Sequence, residues 1–210
     1  MADQNDLLES AISLGGDKEA TRSFYGEWAD KYEKDMLEGT GYVAPRLVAE
    51  KLTELVSGTA EILDAGCGSG LAGQALRDLG KDLLIDGIDL TPEMLTVAHA
   101  KKGVYRDLVE ADMTASLDMF ETDMYDGVIS AGVFTNGHVG PSGLDELIRI
   151  TKPGAPIVIT VRDSAWEADG FKDYFEKLKA DGKVTIHSIE HRPYHVHEGV
   201  ECELCTVIKV

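Results

Sequence analysis

The sequence predicts an α/β fold in which a mostly parallel sheet carries helices on both faces. From residue 60 onwards, strand-like segments alternate with helix-like segments, as in βαβ units. Three of the strand-like segments, "ILDAG", "GVISAG" and "PIVITV", are apolar throughout, as expected for strands that are buried on both faces. A chain of 210 residues is long enough for one such domain and its core.

Two helices are expected before the first strand. Residues 17–37 repeat an apolar or aromatic side chain every fourth residue, at Phe24, Trp28, Tyr32 and Met36. Gly39 and Gly41 are expected to break the chain, and Pro45 to open a second helix that Gly58 ends. Residues 1–16 are expected to be poorly ordered or loosely helical.

Seven strands and four further helices are expected after residue 58. The strands are "AEILDAG", "DLLIDGIDL", "VYRDLVEAD", "MYDGVISAG", "APIVITVR", "KVTIHSIEHRPYHVHE" and "VECELCTVIKV", the last two forming a hairpin. The helices are "SGLAGQALRDLG", "TPEMLTVAHAKKG", "SGLDELIRITKPG" and "AWEADGFKDYFEKLKADG". Glycine or proline after each helix supplies the stop signal.

Composition restricts the partners of this chain. The formal net charge is −18, which repels polyphosphates and anionic membranes, so nucleic acid and lipid surfaces are not expected partners. No apolar run approaches the roughly eighteen residues of a membrane span, and "MADQNDLLES" is unlike a secretory signal. Three cysteines, an odd number, do not make a disulfide framework. We expect a cytoplasmic protein with reduced thiols.

The stretch "ILDAGCGSG" predicts a ligand site directly after the first strand. Ligands of open α/β sheets lie at the carboxyl ends of the strands, and glycines there let a ligand approach the backbone. Gly68 to Gly73 also match the GxGxxG pattern of dinucleotide sites, with Asp89 placed to bind a ribose. A ribose-binding acid suits either class of nucleoside cofactor, so this spacing alone does not discriminate between them.

Two further acids favour a cofactor without phosphates. Asp64 precedes the glycines, where a carboxylate is unfavourable beside a pyrophosphate but useful beside an ammonium group. Asp112 in "VEADM" follows the third strand, where it can accept a hydrogen bond from an adenine amine. A ligand with an ammonium group, a ribose and an adenine is S-adenosylmethionine.

Four motifs in register resemble the class I S-adenosylmethionine-dependent methyltransferases: "ILDAGCGSG", "GIDLTPEML", "VEADM" and "YDGVISAGVF". A narrower likeness, in "FYGEWADKYEKDM", "GYVAPRLVAEKL" and "GVFTNGHVGPSGLDELIRITKPG", is to the Williams–Beuren critical-region methyltransferase-like family. The resemblance implies a Rossmann-like, seven-stranded sheet with an antiparallel last strand. It further implies that residues 1–57 form helices that cover the cofactor and substrate, and that residues 58–210 bind the cofactor, in one compact unit.

The resemblance also implies the cofactor contacts. They are Asp64 at the ammonium group, Asp89 at the ribose and Asp112 at the adenine amine, together with Gly66, Cys67, Gly68, Leu90, Met94 and Met113. Ala131 and Gly132 would line the floor where the methyl group is presented. Structural roles remain open for some of these residues. Asp112 would serve equally as a helix N-cap, and Leu90 and Met113 as core residues.

In related methyltransferases, a segment similar to "YGEWADKYE" folds over the cofactor. Tyr25 and Tyr32 are therefore expected to contact the cofactor, whose sulfonium is a cation suited to aromatic faces. Trp28 is assigned to the substrate side, with packing on the sheet as the alternative reading for it. The family commonly has aspartate after the second tyrosine, whereas Glu33 follows Tyr32 here.

The loop "SAGVFTNGHVG" lacks the Asn/Asp-Pro-Pro-aromatic signature of enzymes that methylate nucleobase amines. Asn136 and His138 are its polar side chains able to face the methyl group, and His138 is either a general base or a residue that fixes the loop. Arg162, at the end of strand five, is expected to bind an acidic group of the acceptor or to form a salt bridge.

The tail contains four histidines and two cysteines, but "CELC" on a strand directs its thiols to opposite faces, so no metal is expected. The predicted function is methyl transfer from S-adenosylmethionine, with S-adenosylhomocysteine as product, to a small-molecule acceptor. A non-catalytic protein that binds either compound is the alternative. An NAD-dependent oxidoreductase is disfavoured by Asp64 and by the lack of a Tyr-x-x-x-Lys pattern. The acceptor atom and the oligomeric state are not specified by the sequence.

Overall fold

The computed structural model describes residues 14, 15 and 17–210, so the expectation for residues 1–13 and 16 lies outside the described residues. In this part of the chain, one sheet of seven strands has the order β3-β2-β1-β4-β5-β7-β6. The strands are β1 (Ala60–Ala65), β2 (Leu83–Asp89), β3 (Asp107–Glu110), β4 (Gly127–Phe134), β5 (Pro156–Arg162), β6 (Val184–His195) and β7 (Val200–Lys209). The predicted sheet is therefore confirmed.

The helices alternate with the strands as the sequence predicts. They are α1 (Lys18–Lys34), α2 (Ala44–Leu55), α3 (Leu71–Asp78), α4 (Pro92–Ala100), α5 (Leu144–Ile150), α6 (Asp163–Ala168) and α7 (Phe171–Ala180). Asp17 caps α1 by accepting a hydrogen bond from the Ala20 amide, and Pro92 occupies the first turn of α4. A π-helical turn, Asp35–Thr40, continues directly from α1.

The strand directions create a ligand-binding edge. Strands β1, β2, β3, β4 and β5 are mutually parallel, and the chain reverses its winding between β1 and β4, which are neighbours. Strand β7 lies antiparallel between β5 and β6, so the expected antiparallel last strand is confirmed. The carboxyl ends of β1, β2 and β4 therefore converge at a topological switch point.

Each face of the sheet has its own apolar cluster. Helices α5 and α7 pack on one face through residues such as Leu147 and Phe175. Helices α2 and α3 pack on the other face through residues such as Leu52 and Leu76. A third cluster, called here the aromatic cluster, joins the N-terminal helices to β6 and β7 and has as its buried members Trp28, Met36, Tyr42, Ala44, Tyr194 and Cys202.

Two helix boundaries differ from the prediction. The first helix does not break at Gly39 but continues as the π-helical turn to Thr40, and it ends where Gly41 adopts a φ of +67°. The helix predicted after β5 divides into α6 and α7 because Gly170 has a φ of +75°, a conformation that a helix interior does not accommodate.

Two expectations from composition can be compared with the structure. Among the described residues, no helix is long and apolar enough to cross a bilayer. All three cysteines are free thiols. Cys202 belongs to the aromatic cluster and Cys205 to the opposite face, so the two thiols do point to opposite faces.

Candidate functional site

A cavity lies at the carboxyl ends of the parallel strands beneath α1, and it encloses about 850 Å³ when the solvent-filled mouth is included. Eleven residues proposed from the sequence line it: Tyr25, Tyr32, Gly66, Gly68, Asp89, Leu90, Met94, Asp112, Met113, Ala131 and His138. Gly132, expected beside Ala131, lines it as well, whereas eight further lining residues were not expected from the sequence: Lys18, Thr21, Thr91, Ala111, Thr114, Val133, Gly137 and Val139.

The glycine turn after β1 has a conformation that requires glycine. Gly66 has a φ of +72°, and a Cβ on it would lie 2.2 Å from Val133 Cγ2. Gly68 has a φ of +52°, and nothing lies within 4 Å of where its Cβ would be, so the space beside it is open. The backbone of the turn is thus exposed to the cavity, as a cofactor in close contact would require.

Asp89 holds the glycine turn to the end of β2. Its Oδ2 accepts a hydrogen bond of 2.8 Å from the Gly68 amide, and its Oδ1 accepts one of 2.9 Å from the Thr91 amide. Burial raises the pKa of this carboxyl, and the two amides oppose that change. Each carboxylate oxygen retains capacity for another donor, so the same group can also accept from a ribose hydroxyl.

Asp64 lies beneath the turn with only 1% of its surface exposed. Its Oδ2 accepts hydrogen bonds from the Tyr105 hydroxyl at 2.6 Å and from the Gly73 amide at 3.0 Å. Its Oδ1 is buried and has no hydrogen-bond partner among the described residues. Burial raises the pKa of Asp64 to about 7. A buried acceptor without a donor is costly, which makes it a suitable place for an ammonium group.

A smaller cavity of about 300 Å³ adjoins the first and shares Tyr32, Gly66, Gly68 and Ala131 with it. Its other lining residues are Tyr42, Pro45, Asp64, Cys67, Ser69, Leu71 and Ala72. The Ser69 hydroxyl is also buried without a hydrogen-bond partner among the described residues. Two polar groups without partners, Asp64 Oδ1 and the Ser69 hydroxyl, therefore belong to residues that line the smaller cavity.

Asp112 forms a turn rather than the N-cap of a helix. Its Oδ1 accepts hydrogen bonds from the amide and the hydroxyl of Thr114, at 2.8 and 2.6 Å, while Lys18 forms an ion pair with its Oδ2. Partial burial raises the pKa of Asp112, but these partners outweigh it and hold the pKa below its usual value. The carboxylate is therefore charged and anchors the start of α1 to the site.

Tyr25 and His138 meet at the opposite side of the cavity. His138 Nδ1 lies 3.1 Å from the Asn136 carbonyl oxygen, which can only accept, so Nδ1 carries the proton. His138 Nε2 is then an acceptor, and it lies 2.9 Å from the Tyr25 hydroxyl, which donates to it. Burial lowers the pKa of His138, so the ring is neutral and its basic nitrogen faces α1.

The remaining predicted residues lie outside the larger cavity. Trp28 is 6% exposed and donates from Nε1 to Asp35 Oδ2 at 2.8 Å. The Asn136 amide interacts with Asp169 and Ser164 on the surface. Arg162 ends β5 on the face of the aromatic cluster, directly opposite Cys202. Cys67 lines the smaller cavity, with its thiol near the Gly68 carbonyl at 3.8 Å.

The histidines of the tail are dispersed. His195 Nδ1 lies 3.0 Å from Glu198 Oε2, and His197 bonds the Gly39 carbonyl. One His/carboxylate group in the described part of the chain, Asp163, His191 and Glu203, has ligand atoms within 4.8 Å of one another. It is not part of the cavity lining, and the expectation that no metal is bound stays a prediction.

A Rossmann-like sheet with an antiparallel β7, a glycine turn and two joined cavities defines the methyltransferase type of nucleoside-cofactor site. The methyltransferase domain family matches residues 62–154. Human Methyltransferase-like protein 27 is 34% identical over 145 residues, covering 68% of this chain and 58% of the human protein. The 18S rRNA (guanine-N(7))-methyltransferase bud23 of Schizosaccharomyces pombe is 36% identical over 85 residues, covering 40% of this chain and 31% of its own.

A solved structure has the same fold. The TehB-like S-adenosylmethionine-dependent methyltransferase from Corynebacterium glutamicum superposes with a TM-score of 0.65 at 21% identity, covering 90% of this chain and 99% of that chain. The present chain belongs to the class I S-adenosylmethionine-dependent methyltransferases, and S-adenosylmethionine is its cofactor. It spans 58% of the length of the human relative.

Proposed function

We propose that this protein transfers the methyl group of S-adenosylmethionine to a small-molecule acceptor, and that the helices before residue 58 cover the reactants. One observation carries the proposal. Asp64 lines the smaller cavity and Asp89 and Asp112 line the larger one, at or after the ends of the neighbouring strands β1, β2 and β3, and this order suits the ammonium group, the ribose and the adenine of the cofactor. This set suits a cofactor without phosphates.

The sheet residues would hold the cofactor. Asp64 Oδ1, buried and without a donor, would accept from the ammonium group, and Asp89 would accept from the ribose while it keeps the turn in place. Asp112, between Lys18 and Thr114, would face the adenine amine. When bound, the cofactor supplies a methyl group on a cationic sulfur, ready for in-line displacement by a nucleophile.

The acceptor would enter between Tyr25, His138 and the end of β4. Positioning alone supplies much of the rate of such a displacement. The acceptor's proton would pass to His138 Nε2, which is neutral and unprotonated here. Because the Tyr25 hydroxyl donates to that nitrogen, an acceptor must either displace Tyr25 or transfer its proton through the Tyr25 oxygen.

A small acceptor is favoured over nucleic acid by charge. The net charge of −18 opposes a polyanion. The S. pombe relative is named as an rRNA methyltransferase, but it matches only 40% of this chain. The charged residues on the cavity wall are Lys18, Asp89 and Asp112, and Lys18 is paired with Asp112, so the wall offers no unpaired cation to a phosphate backbone within the described residues.

Calorimetric titration with S-adenosylmethionine, S-adenosylhomocysteine and NAD tests the proposal. We expect dissociation constants on the order of 10 μM for the first two and no binding of NAD. Asp89→Asn should weaken both at least tenfold. Asp82→Asn is the matched control, because Asp82 lies on the surface outside both cavity linings and accepts a hydrogen bond from the Thr59 hydroxyl. Binding of NAD alone would overturn the assignment.

Turnover separates an enzyme from a non-catalytic binding protein. The protein is incubated with methyl-labelled S-adenosylmethionine and pooled small molecules, and in a parallel reaction with RNA. Label that appears in the small-molecule fraction and is lost in the Asp89→Asn variant supports the proposal. Label in RNA alone would contradict the acceptor class, and cofactor binding without turnover in either fraction would favour the binding protein.

A further inference from the structure

Arg162 is an unpaired cation in a strongly acidic protein. The chain has seven arginines, and the structure gives six of them a carboxylate or carbonyl partner: Arg22, Arg46, Arg77, Arg106, Arg149 and Arg192. No carboxylate of the described residues lies within ion-pair distance of Arg162, which is half-buried at the end of β5. Arg162 thus differs from the other six arginines, and it is half-buried, which makes its free guanidinium a candidate for a functional role.

The side chain of Arg162 lies on the face of the sheet that carries the aromatic cluster. Arg162 pairs directly with Cys202 of β7, and directly opposed residues share a face. Cys202 is completely buried in the aromatic cluster with Trp28 and Tyr194. Arg162 therefore projects beside α1 and not toward α5 and α7.

The same face of β5 contacts a residue of the cavity wall. Thr160, two residues before Arg162, accepts a hydrogen bond of 3.2 Å from the Gly132 amide, and Gly132 lines the cavity. Side chains alternate along a strand, so Thr160 and Arg162 share a face, with Arg162 about 7 Å further toward the carboxyl edge. The guanidinium of Arg162 thus lies beyond Thr160, and hence beyond Gly132 of the cavity wall, on the same face of the sheet.

Two tyrosine hydroxyls lie beside Gly132, and one of them, that of Tyr194, is close enough to Arg162 to feel its charge. A Cβ on Gly132 would lie 2.4 Å from the Tyr42 hydroxyl and 3.3 Å from that of Tyr194, so both hydroxyls are close to the cavity floor. Burial raises the pKa of Tyr194 to about 12, against the charge of Arg162, so the hydroxyl keeps its proton. A protonated tyrosine hydroxyl can donate a hydrogen bond to a ligand.

A buried histidine adds a further unsatisfied group beside them. His195 is 2% exposed, its ring centroid is 4.6 Å from that of Tyr194, and its Nε2 has no hydrogen-bond partner among the described residues. Because His195 Nδ1 lies 3.0 Å from the carboxylate oxygen of Glu198, Nδ1 carries the proton and Nε2 is an acceptor. The donors around Arg162 are therefore its own guanidinium and the Tyr194 hydroxyl. These groups are typical of a site for one oxyanion, and none of them is used by the cofactor contacts proposed above.

We propose that Arg162, with the Tyr194 hydroxyl, binds a single carboxylate or phosphate group of the acceptor and so holds the nucleophile over Gly132. The inference rests on the proposed function and names the acceptor class: a small molecule with one oxyanion a few bonds from its nucleophile. Guanidinium matches such groups with two parallel hydrogen bonds. The acidic surface would repel polyanions and admit a molecule with one such group.

Titration of the protein saturated with S-adenosylhomocysteine tests this site. The probes are inorganic phosphate, benzoate and, as the neutral counterpart, benzamide. We expect saturable binding of phosphate or benzoate with a dissociation constant on the order of 1 mM, and none of benzamide. Preference for phosphate or for benzoate identifies the kind of oxyanion.

Three variants locate the binding. Arg162→Gln should weaken the anion at least tenfold, and Arg162→Lys, which keeps the charge without the planar fork, should give an intermediate value. Arg192→Gln is the matched control. Arg192 of β6 also pairs directly with Cys202, from the other neighbouring strand of β7, but it already forms an ion pair of 3.3 Å with Glu190. It should bind the anion as the wild type does.

The outcomes separate the two proposals. If S-adenosylhomocysteine binds and neither anion does, or if Arg162→Gln binds the anion as tightly as the wild type, the oxyanion site is wrong and the methyltransferase proposal stands. If S-adenosylhomocysteine itself fails to bind the wild type, the cofactor assignment falls first. Arg162→Gln should bind S-adenosylhomocysteine normally, which shows that the variant is folded.

Discussion

The cofactor cavity has two walls of different construction. The sheet wall, formed by the glycine turn and the ends of β1 and β2, is held by buried hydrogen bonds such as those of Asp64 and Asp89. The helical wall, α1, is held at its start by partly exposed ion pairs, Lys18 to Asp112 and Arg22 to Glu110. Exposed ion pairs contribute less than about 1 kcal/mol each, whereas breaking buried networks is far more costly.

This difference separates the tasks of the two walls. The sheet wall must keep one geometry, since its backbone touches the ligand. The helical wall must admit and release ligands, and it contains side chains that pack on each other, with Trp28 and Tyr32 ring centroids 5.0 Å apart. We infer that the sheet wall is fixed and that α1 is a movable cover. Its attachment is weak at its start, near Lys18, and stronger at the aromatic cluster.

The largest effect is expected from a methyl group on the sheet wall. Gly66→Ala would place a Cβ 2.2 Å from Val133 Cγ2 at a φ of +72°. We expect the free energy of unfolding to fall by about 2–5 kcal/mol and cofactor binding to be lost. Chemical denaturation and calorimetry measure the two effects.

Gly58→Ala is the matched control for that strain. Gly58 has a φ of +69° but nothing within 4 Å of its Cβ position. Backbone strain alone should cost about 1–2 kcal/mol and leave cofactor affinity intact. Equal losses in both variants would show that the space beside Gly66 is unimportant and that the sheet wall is less rigid than inferred.

The next effect comes from the protonation of Asp64, whose pKa burial raises to about 7. An ammonium group requires the carboxylate, so below pH 7 the cofactor must displace a proton. Affinity for S-adenosylhomocysteine should fall about tenfold from pH 8 to pH 6. Asp64→Asn should bind S-adenosylhomocysteine weakly, with an affinity that does not change with pH. If the affinity of the wild type also stays the same from pH 8 to pH 6, the assigned role of Asp64 is wrong.

The stability of the free protein should change in the opposite sense. The native pKa of Asp64 is above its ordinary 3.8, so the folded protein holds this proton more tightly than the unfolded chain does. The contribution of this group to the free energy of unfolding is therefore present at low pH and is lost as the pH rises from about 4 to about 7. Denaturant titrations of wild type and Asp64→Asn resolve this difference.

A smaller effect is expected where the two walls meet at Tyr25 and His138. Tyr25→Phe removes a hydrogen bond of 2.9 Å and retains the ring contacts to Trp28. Such a bond contributes about 0.5–1.5 kcal/mol, so affinity for S-adenosylhomocysteine should fall about two- to tenfold. Tyr174→Phe, which loses a hydroxyl bonded to Asp145 far from the cavity, should bind normally. If the two variants behave alike, the cover does not depend on this bond.

The sequence predicted the sheet wall better than the helical wall, for a physical reason. Glycines and acids at the ends of predicted strands must meet at one edge, because parallel strands bring their carboxyl ends together. The structure places Asp64, Asp89 and Asp112 along that edge. Tyr105 was not foreseen as the partner of Asp64, because no local pattern relates residues 41 positions apart.

Which residues form the helical wall depends on how α1 is rotated about its own axis against the sheet. The four-residue repeat of the first helix was correctly read, but it does not reveal which aromatic faces the ligand. Tyr25 and Tyr32 line the cavity, whereas Trp28, assigned to the substrate side, is directed to Asp35. Lys18 and Thr21 carry no sequence signal for a site, and they line it because ion pairs of α1 with Glu110 and Asp112 hold the start of the helix beside the end of β3.

The smallest effect should come from the ion pair that ties the start of α1 to the sheet. Lys18→Gln removes the partner of Asp112, while the side chain of Lys18 is 53% exposed. Equilibrium affinity should change less than threefold, since the pair contributes less than about 1 kcal/mol. The rates should change more, because a cover tied less firmly opens more often. Both the association and the dissociation of S-adenosylhomocysteine should then accelerate, and stopped-flow fluorescence would measure them.

Lys177→Gln breaks the exposed pair with Asp181 away from the cavity and should change neither rate. Unchanged rates in Lys18→Gln would mean that ligands enter without movement of α1, and the contrast between a fixed and a movable wall would not hold.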